Sequence, residues 1–170
     1  MKNSGLQRSP LDLIEHDHAK HGYLCDDLEQ IADSLPDDVD KKLCQQVAMT
    51  LRFDLPLHHL DEENGLFPLL HAHSEEKPSI NPILNRLSEE HAADESFAEE
   101  LIEELDHLAL TGKAKNAETL GYMLRGFFES YRRHIHWETD VLLPMARQML
   151  SEADLTELAN RMEENRSGRA

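Results

Sequence analysis

An all-α bundle, with four helices running up-down-up-down and a short extra helix at the C-terminal end, is the fold this sequence predicts. Three observations predict it. Apolar residues recur at intervals of three and four along four long stretches. Runs of β-branched residues, which favour strands, are absent. The segments between the stretches are short and rich in Pro, Gly, Asp and Asn, so consecutive helices turn back on one another. A chain of 170 residues with 39% hydrophobic content suits one packed core. Residues 1–150 are assigned to the bundle and residues 151–170 to a short amphipathic helix and tail.

The first helix opens with Ser9 as N-cap, Pro10 at the first helical position and Asp12 in the first turn. Its inward stripe is Leu11, Ile14, His18, Cys25, Leu28 and Ile31, and "SLPDDVD" breaks it. The second stripe runs Val47, Leu51, Leu55, His58, Glu62, Leu66, Leu69, with kinks expected at Pro56 and near Pro68. After the loop "SEEKPSIN", Asn81 caps the third helix and Pro82 takes its first position. That stripe is Leu84, Leu87, His91, Glu95, Ala98, Leu101, Leu105, and it stops at Gly112 in "TGKAKN". The fourth stripe is the cleanest: Leu120, Leu124, Phe127, Tyr131, His134, Glu138, Val141, Met145. The amphipathic tail "SEADLTELANRM" is expected to pack as a fifth helix.

With 17 Lys and Arg against 34 Asp and Glu, the net charge is −17. Such a field repels phosphate backbones and anionic bilayer surfaces, so neither nucleic acid nor membrane is an expected partner. The N-terminus "MKNSGLQRSP" lacks the apolar stretch of an export signal, and no apolar run approaches membrane-spanning length. A cytoplasmic protein is expected, with Cys25 and Cys44 as reduced, core-packed thiols. The count of 11 histidines is high for this length.

Those histidines interrupt the apolar stripes. Burying an imidazole or a carboxylate without a partner costs several kcal/mol, so these groups must pair, meet water or bind metal. In an antiparallel hairpin, two residues share a height when their midpoint falls at the turn. The midpoint of His18 and His58 is residue 38, inside "PDDVD"; that of His58 and His91 lies at the start of "SEEKPSIN"; that of His91 and His134 lies next to Gly112. All four helices therefore place a histidine at one level. His58-x-x-x-Glu62 and His134-x-x-x-Glu138 add a carboxylate on the same face, roughly 6 Å along the axis. The two halves also repeat, since Pro68 follows His58 by ten residues and Pro144 follows His134 by ten. The repeat favours His58 over His59 and Glu62 over Glu63. Helical phase favours His18 over His16.

The segments "LIEHDH", "HHLDEENGLFP", "LSEEH" and "HIHWETDVLLP" together resemble the hemerythrin-like family, in particular its HHE cation-binding branch, over about residues 10–149. The resemblance implies a four-helix bundle around a non-haem centre of two iron ions, oxo- or hydroxo-bridged. Carried onto this chain, it makes His18, His58, His91 and His134 terminal nitrogen ligands and Glu62 and Glu138 bridges. Oxygen-carrying hemerythrins have a second histidine four residues after that of the third helix, where this chain has Glu95. They usually place an aspartate five residues after the fourth-helix histidine, where this chain has Glu138 at four. The carboxylate-rich set stabilises ferric iron and favours redox cycling. Zinc or another divalent metal would also suit these donors.

Glu63 and Glu95 are additional candidate ligands, Glu95 alternatively orienting a ligand imidazole. His59 is expected at the rim or behind a ligand, His21 in the core or behind His18, and Tyr131 in the core. His71, His73, His107 and His136 read as surface or helix-end residues. The functional expectation is binding or sensing of a small ligand such as oxygen, nitric oxide or peroxide. Peroxide decomposition and metal binding without turnover are the alternatives, and a metal-free helical interaction module is the bland one. A ferritin-type site would need Glu-x-x-His on two helices, and among the stripe histidines only Glu15-x-x-His18 fits. A homodimer is left open, and the sequence identifies no protein partner.

Overall fold

The computed structural model describes residues 8–168. Helix α1 spans Pro10–Ser34. The second rod of the bundle is built from α2 (Lys41–Met49), α3 (Leu55–Asp61) and α4 (Phe67–Ala72), joined end to end by π-helical turns at Thr50–Asp54 and Glu62–Leu66. The third rod is α5 (Ile80–Thr111). The fourth is α6 (Ala117–Trp137), a π-helical turn at Glu138–Leu142, and α7 (Leu143–Met149). Helix α8 (Glu152–Ser167) follows and packs across one end of the bundle, against α1, α3 and the turn at Glu62–Leu66. The described residues form no strand.

Local chemistry sets these boundaries. Pro10 begins α1 with its fixed φ and no N–H to strand. The Asp40 carboxylate accepts from the Lys42 and Leu43 backbone N–H groups to start α2, and Asn116 does the same for α6 through Thr119. Helix α5 begins one residue before the expected cap, at Ile80 after Ser79, so Pro82 sits inside its first turn, where no intrahelical N–H bond is lost. It ends at Gly112, whose φ of 73° is left-handed and whose N–H closes on the Leu108 carbonyl. Ser151 and Asp154 form a reciprocal capping box at α8.

The kinks expected at Pro56 and Pro68 take the form of π turns, and a third occurs before Pro144. Each turn starts six residues before its proline: Thr50, Glu62 and Glu138. Proline cannot donate to the carbonyl four residues back and collides with it, so the chain widens there to an i→i+5 bond. Thus Phe67 N–H donates to Glu62 and Leu143 N–H to Glu138.

Two apolar clusters fill the bundle. One, containing Leu28, Leu51, Leu105 and Phe127, lies toward the Asp37–Asp40 and Gly112–Asn116 connections. The other, containing Ile14, Leu66, Leu84 and Leu142, lies at the opposite end and is closed by Leu158 and Met162 of α8. Cys25 and Cys44 are free and buried in the first cluster. Between the two clusters the core is polar.

Candidate metal centre

His18, His21, His58, His59, Asp61, Glu62, His91, Asp94, His134 and Glu138 are all buried at this middle level. The four helical rods each contribute an imidazole, and the two π turns begin on the two glutamates. Glu62 and Glu138 are fully enclosed.

The two carboxylates link the imidazoles. Glu62 lies 3.3 Å from His18 Nε2, 3.5 Å from His58 Nε2 and 3.1 Å from His91 Nε2. Glu138 lies 3.1 Å from His18 Nε2, 3.4 Å from His91 Nε2 and 3.0 Å from His134 Nε2. The six residues expected from the sequence therefore meet in one layer. Potential donor atoms fall into two groups, each within 4.8 Å: His18, His58, Glu62 and Glu138 in one, His59, His91 and His134 in the other.

Behind the imidazoles sits a second set of polar groups. His18 Nδ1 is 2.9 Å from the Thr139 hydroxyl. His91 Nδ1 is 2.6 Å from Glu63, His134 Nδ1 2.8 Å from Glu90, and His59 Nδ1 3.0 Å from Glu95. Glu63 and Glu95, the additional candidates, thus hold the outer nitrogens of imidazoles. His16 points to solvent, whereas His18 is buried. His21 is buried beside His58 but hydrogen-bonds through Nδ1 to the Tyr131 hydroxyl at 2.7 Å. His73 reaches Asp154 of α8 at 3.1 Å.

Electrostatics follow from two anions in a dry layer. Burial would neutralise Glu62 and Glu138, but the surrounding imidazoles outweigh it and hold both below the ordinary carboxylate range. In return, the carboxylates overcome the burial of His18, His91 and His134 and raise them to about 9, 12 and 9. His58 is different: burial dominates, and its pKa falls to about 4. Burial and three neighbouring histidines push His21 to about 2, which leaves it neutral. Without a metal, the layer holds protons that a cation must displace.

Several buried atoms have no hydrogen-bond partner: both ring nitrogens of His58, Nε2 of His59, His91 and His134, Oε2 of Glu62 and both oxygens of Glu138. Unpaired polar atoms this deep are costly. Nearly all converge on the middle of the layer, and nitrogen and carboxylate oxygen donors are the chemistry that divalent and trivalent cations take. The residues fit a metal site. A match to the model of the hemerythrin HHE cation-binding domain covers residues 9–146. The chain belongs to that family. Comparison with curated proteins and with solved structures found no match. No helix among the described residues of this hemerythrin-family chain is long and apolar enough to cross a membrane.

Three residues of the layer, His59, Asp61 and Asp94, lie outside the predicted stripes. His59, expected at the rim or behind a ligand because it lies off the repeat, is only 1% exposed and so is not at the rim. Asp94 is buried with one oxygen unpartnered, and burial raises its pKa to about 6. The signal for His59, Asp61 and Asp94 was adjacency to a stripe residue, His58, Glu62 and Glu95 respectively.

Proposed function

We propose that this protein holds two iron ions with His18, His58, Glu62, His91, His134 and Glu138, and uses the centre to bind or sense a small ligand such as oxygen, nitric oxide or peroxide. The observation that carries the reading is the set of inward-facing imidazole and carboxylate atoms that crowd together without hydrogen bonds in a buried layer. Iron held by such donors supplies electrons to, and takes them from, a small bound molecule. Two enclosed glutamates, each near imidazoles of both groups, suit bridging positions between cations about 3.5–4 Å apart.

The protein's own residues prepare the centre for that work. Thr139, Glu63 and Glu90 fix the orientation of His18, His91 and His134 through their outer nitrogens, which leaves the inner nitrogens aimed at the layer. Tyr131 and Phe127 on one side and Leu66 and Leu142 on the other keep bulk water away. Val141, expected on the inward stripe of the fourth helix, is exposed and takes no part in this. Peroxide decomposition is the second reading, favoured by the carboxylate-rich donor set, in which Glu95 stands where oxygen carriers place a histidine.

Anaerobic reconstitution with ferrous iron tests the reading, with metal analysis and an absorption spectrum before and after admission of air, nitric oxide or peroxide. Two irons per chain and a new charge-transfer band are expected, and Glu62→Ala and Glu138→Ala should each lose metal. Full metal content in both variants, or zinc held in place of iron with no optical response, would overturn it. Repeated consumption of added peroxide would select the enzymatic reading over sensing.

A further inference from the structure

We infer that His59 is a ligand of the second metal position, oriented by Glu95, so that this position takes three imidazoles where the first takes two. The inference rests on the two-metal reading above and assigns a seventh ligand to it.

Geometry carries it. A ring nitrogen of His59 lies within 4.8 Å of donor atoms of both His91 and His134, and this trio is distinct from the group around His18 and His58. The ring is buried, and its Nε2 has no hydrogen-bond partner. Its other nitrogen sits 3.0 Å from Glu95, as that of His91 sits 2.6 Å from Glu63 and that of His134 2.8 Å from Glu90. All three imidazoles of the trio therefore share one arrangement, a carboxylate behind and a nitrogen without a hydrogen bond in front, those of His91 and His134 lying beside Glu62 and Glu138. A metal-bound histidine needs just this, because the outer carboxylate fixes the tautomer and strengthens the donor.

His21 supplies the internal contrast. It is as deeply buried and touches His58, yet a tyrosine hydroxyl, not a carboxylate, stands behind it. It belongs to neither donor group.

The arrangement also gives Glu95 a use. It lies one turn beyond His91 on the same face of α5, but its oxygen reaches across to the second rod. The third helix thus offers the metal one imidazole directly and supports a second from behind. The adjacent pair His58-His59 can serve both positions because consecutive helical residues diverge by about 100° around the axis. His58 turns toward His18 and His21, and His59 toward His91 and His134.

The test is ferrous-iron titration of the full chain, its His59→Ala variant and its Glu95→Gln variant, read by bound metal and by Mössbauer spectra of the 57Fe-loaded proteins. The unchanged protein should bind two irons with two distinct quadrupole doublets. His59→Ala should keep about one, and Glu95→Gln should weaken the second site by about 10–100-fold. Two irons in His59→Ala, with the affinities and doublets of the unchanged protein, would overturn the inference and leave the two-iron reading standing. Fewer than two irons in the unchanged protein would instead remove that reading, and this inference with it. If His59→Ala does not fold, Glu95→Gln decides alone, since it alters a half-exposed side chain: weakening supports the role, and unchanged affinity refutes it.

Discussion

The two His-x-x-x-Glu turns begin as near repeats and end in different surroundings. His58–Glu62 and His134–Glu138 each lead into a π turn and then a proline. Around Glu62–Leu66 the turn is clasped by α8. Arg161 donates to the Asn64 carbonyl at 3.3 Å, the very group that Pro68 cannot satisfy. Arg166 and Asn165 hold the buried Asp61 at 2.9 and 3.0 Å, and Leu158 comes so close that a Cβ on Gly65 would lie 2.8 Å from it. Around Glu138–Leu142 nothing comparable lies outside among the described residues: Trp137 and Val141 are each 36% exposed. The difference teaches that the same ligand turn can be rigidified from outside or left to the metal and the bundle alone.

Removal of α8 should break the contrast most strongly. A chain ending after Leu150 loses the burial of Leu158 and Met162, about 3–6 kcal/mol, and urea denaturation of the metal-free protein would register it. A loss below about 1 kcal/mol would mean that the clasp is only a contact. Arg166→Ala, which strands Asp61 with Asn165 alone, should cost about 1–3 kcal/mol and lower the melting temperature. An unchanged melting temperature would show that water replaces the guanidinium.

The halves also differ in protons. His134 is raised to about 9 and His58 lowered to about 4, so at neutral pH the first is charged and the second is not. Metal binding near pH 7.5 should release a proton from His134, and that contribution makes affinity climb about tenfold per pH unit until about pH 9. Calorimetry in buffers of different ionisation enthalpy should find about one proton fewer released by His134→Gln and no change in His58→Gln. Equal losses from both would erase the distinction. The sign for the metal-free fold is the reverse: stability from the protons on His18 and His134 is fully present below about 6.5 and is lost as pH rises through about 9. The smallest effect is expected at the open turn, where Val141→Ala should alter stability by less than about 0.5 kcal/mol.

Much of this was legible in the periodicity. The stripes Leu11–Ile31 and Leu84–Leu105 locate the cores of α1 and α5, and equal heights bring His18, His58, His91 and His134 into one layer. What a 3.6-residue period cannot register is a π turn. An extra residue at Glu138–Leu142 slips the phase, so Leu142 and Ala146 face inward where Val141 and Met145 were expected. His59 and Asp61 were hidden for another reason. The second rod is surrounded by α1, α5 and α8, so more than one of its faces is buried, whereas a single stripe assumes one wet side.

The carboxylates behind the imidazoles have a consequence for charge balance. Asp17, 3.9 Å from His58, joins Glu63, Glu90 and Glu95 outside the layer and Glu62 and Glu138 within it. With Asp94, also buried in the layer, these carboxylates favour a more highly charged cation over a less charged one. A cation held there would be compensated best in its higher oxidation state, while reduction would leave more negative charge uncompensated where the dielectric screens it poorly. Iron held in these surroundings would have its reduction potential pressed downward, so that any reductant would have to work against the charge of the protein itself.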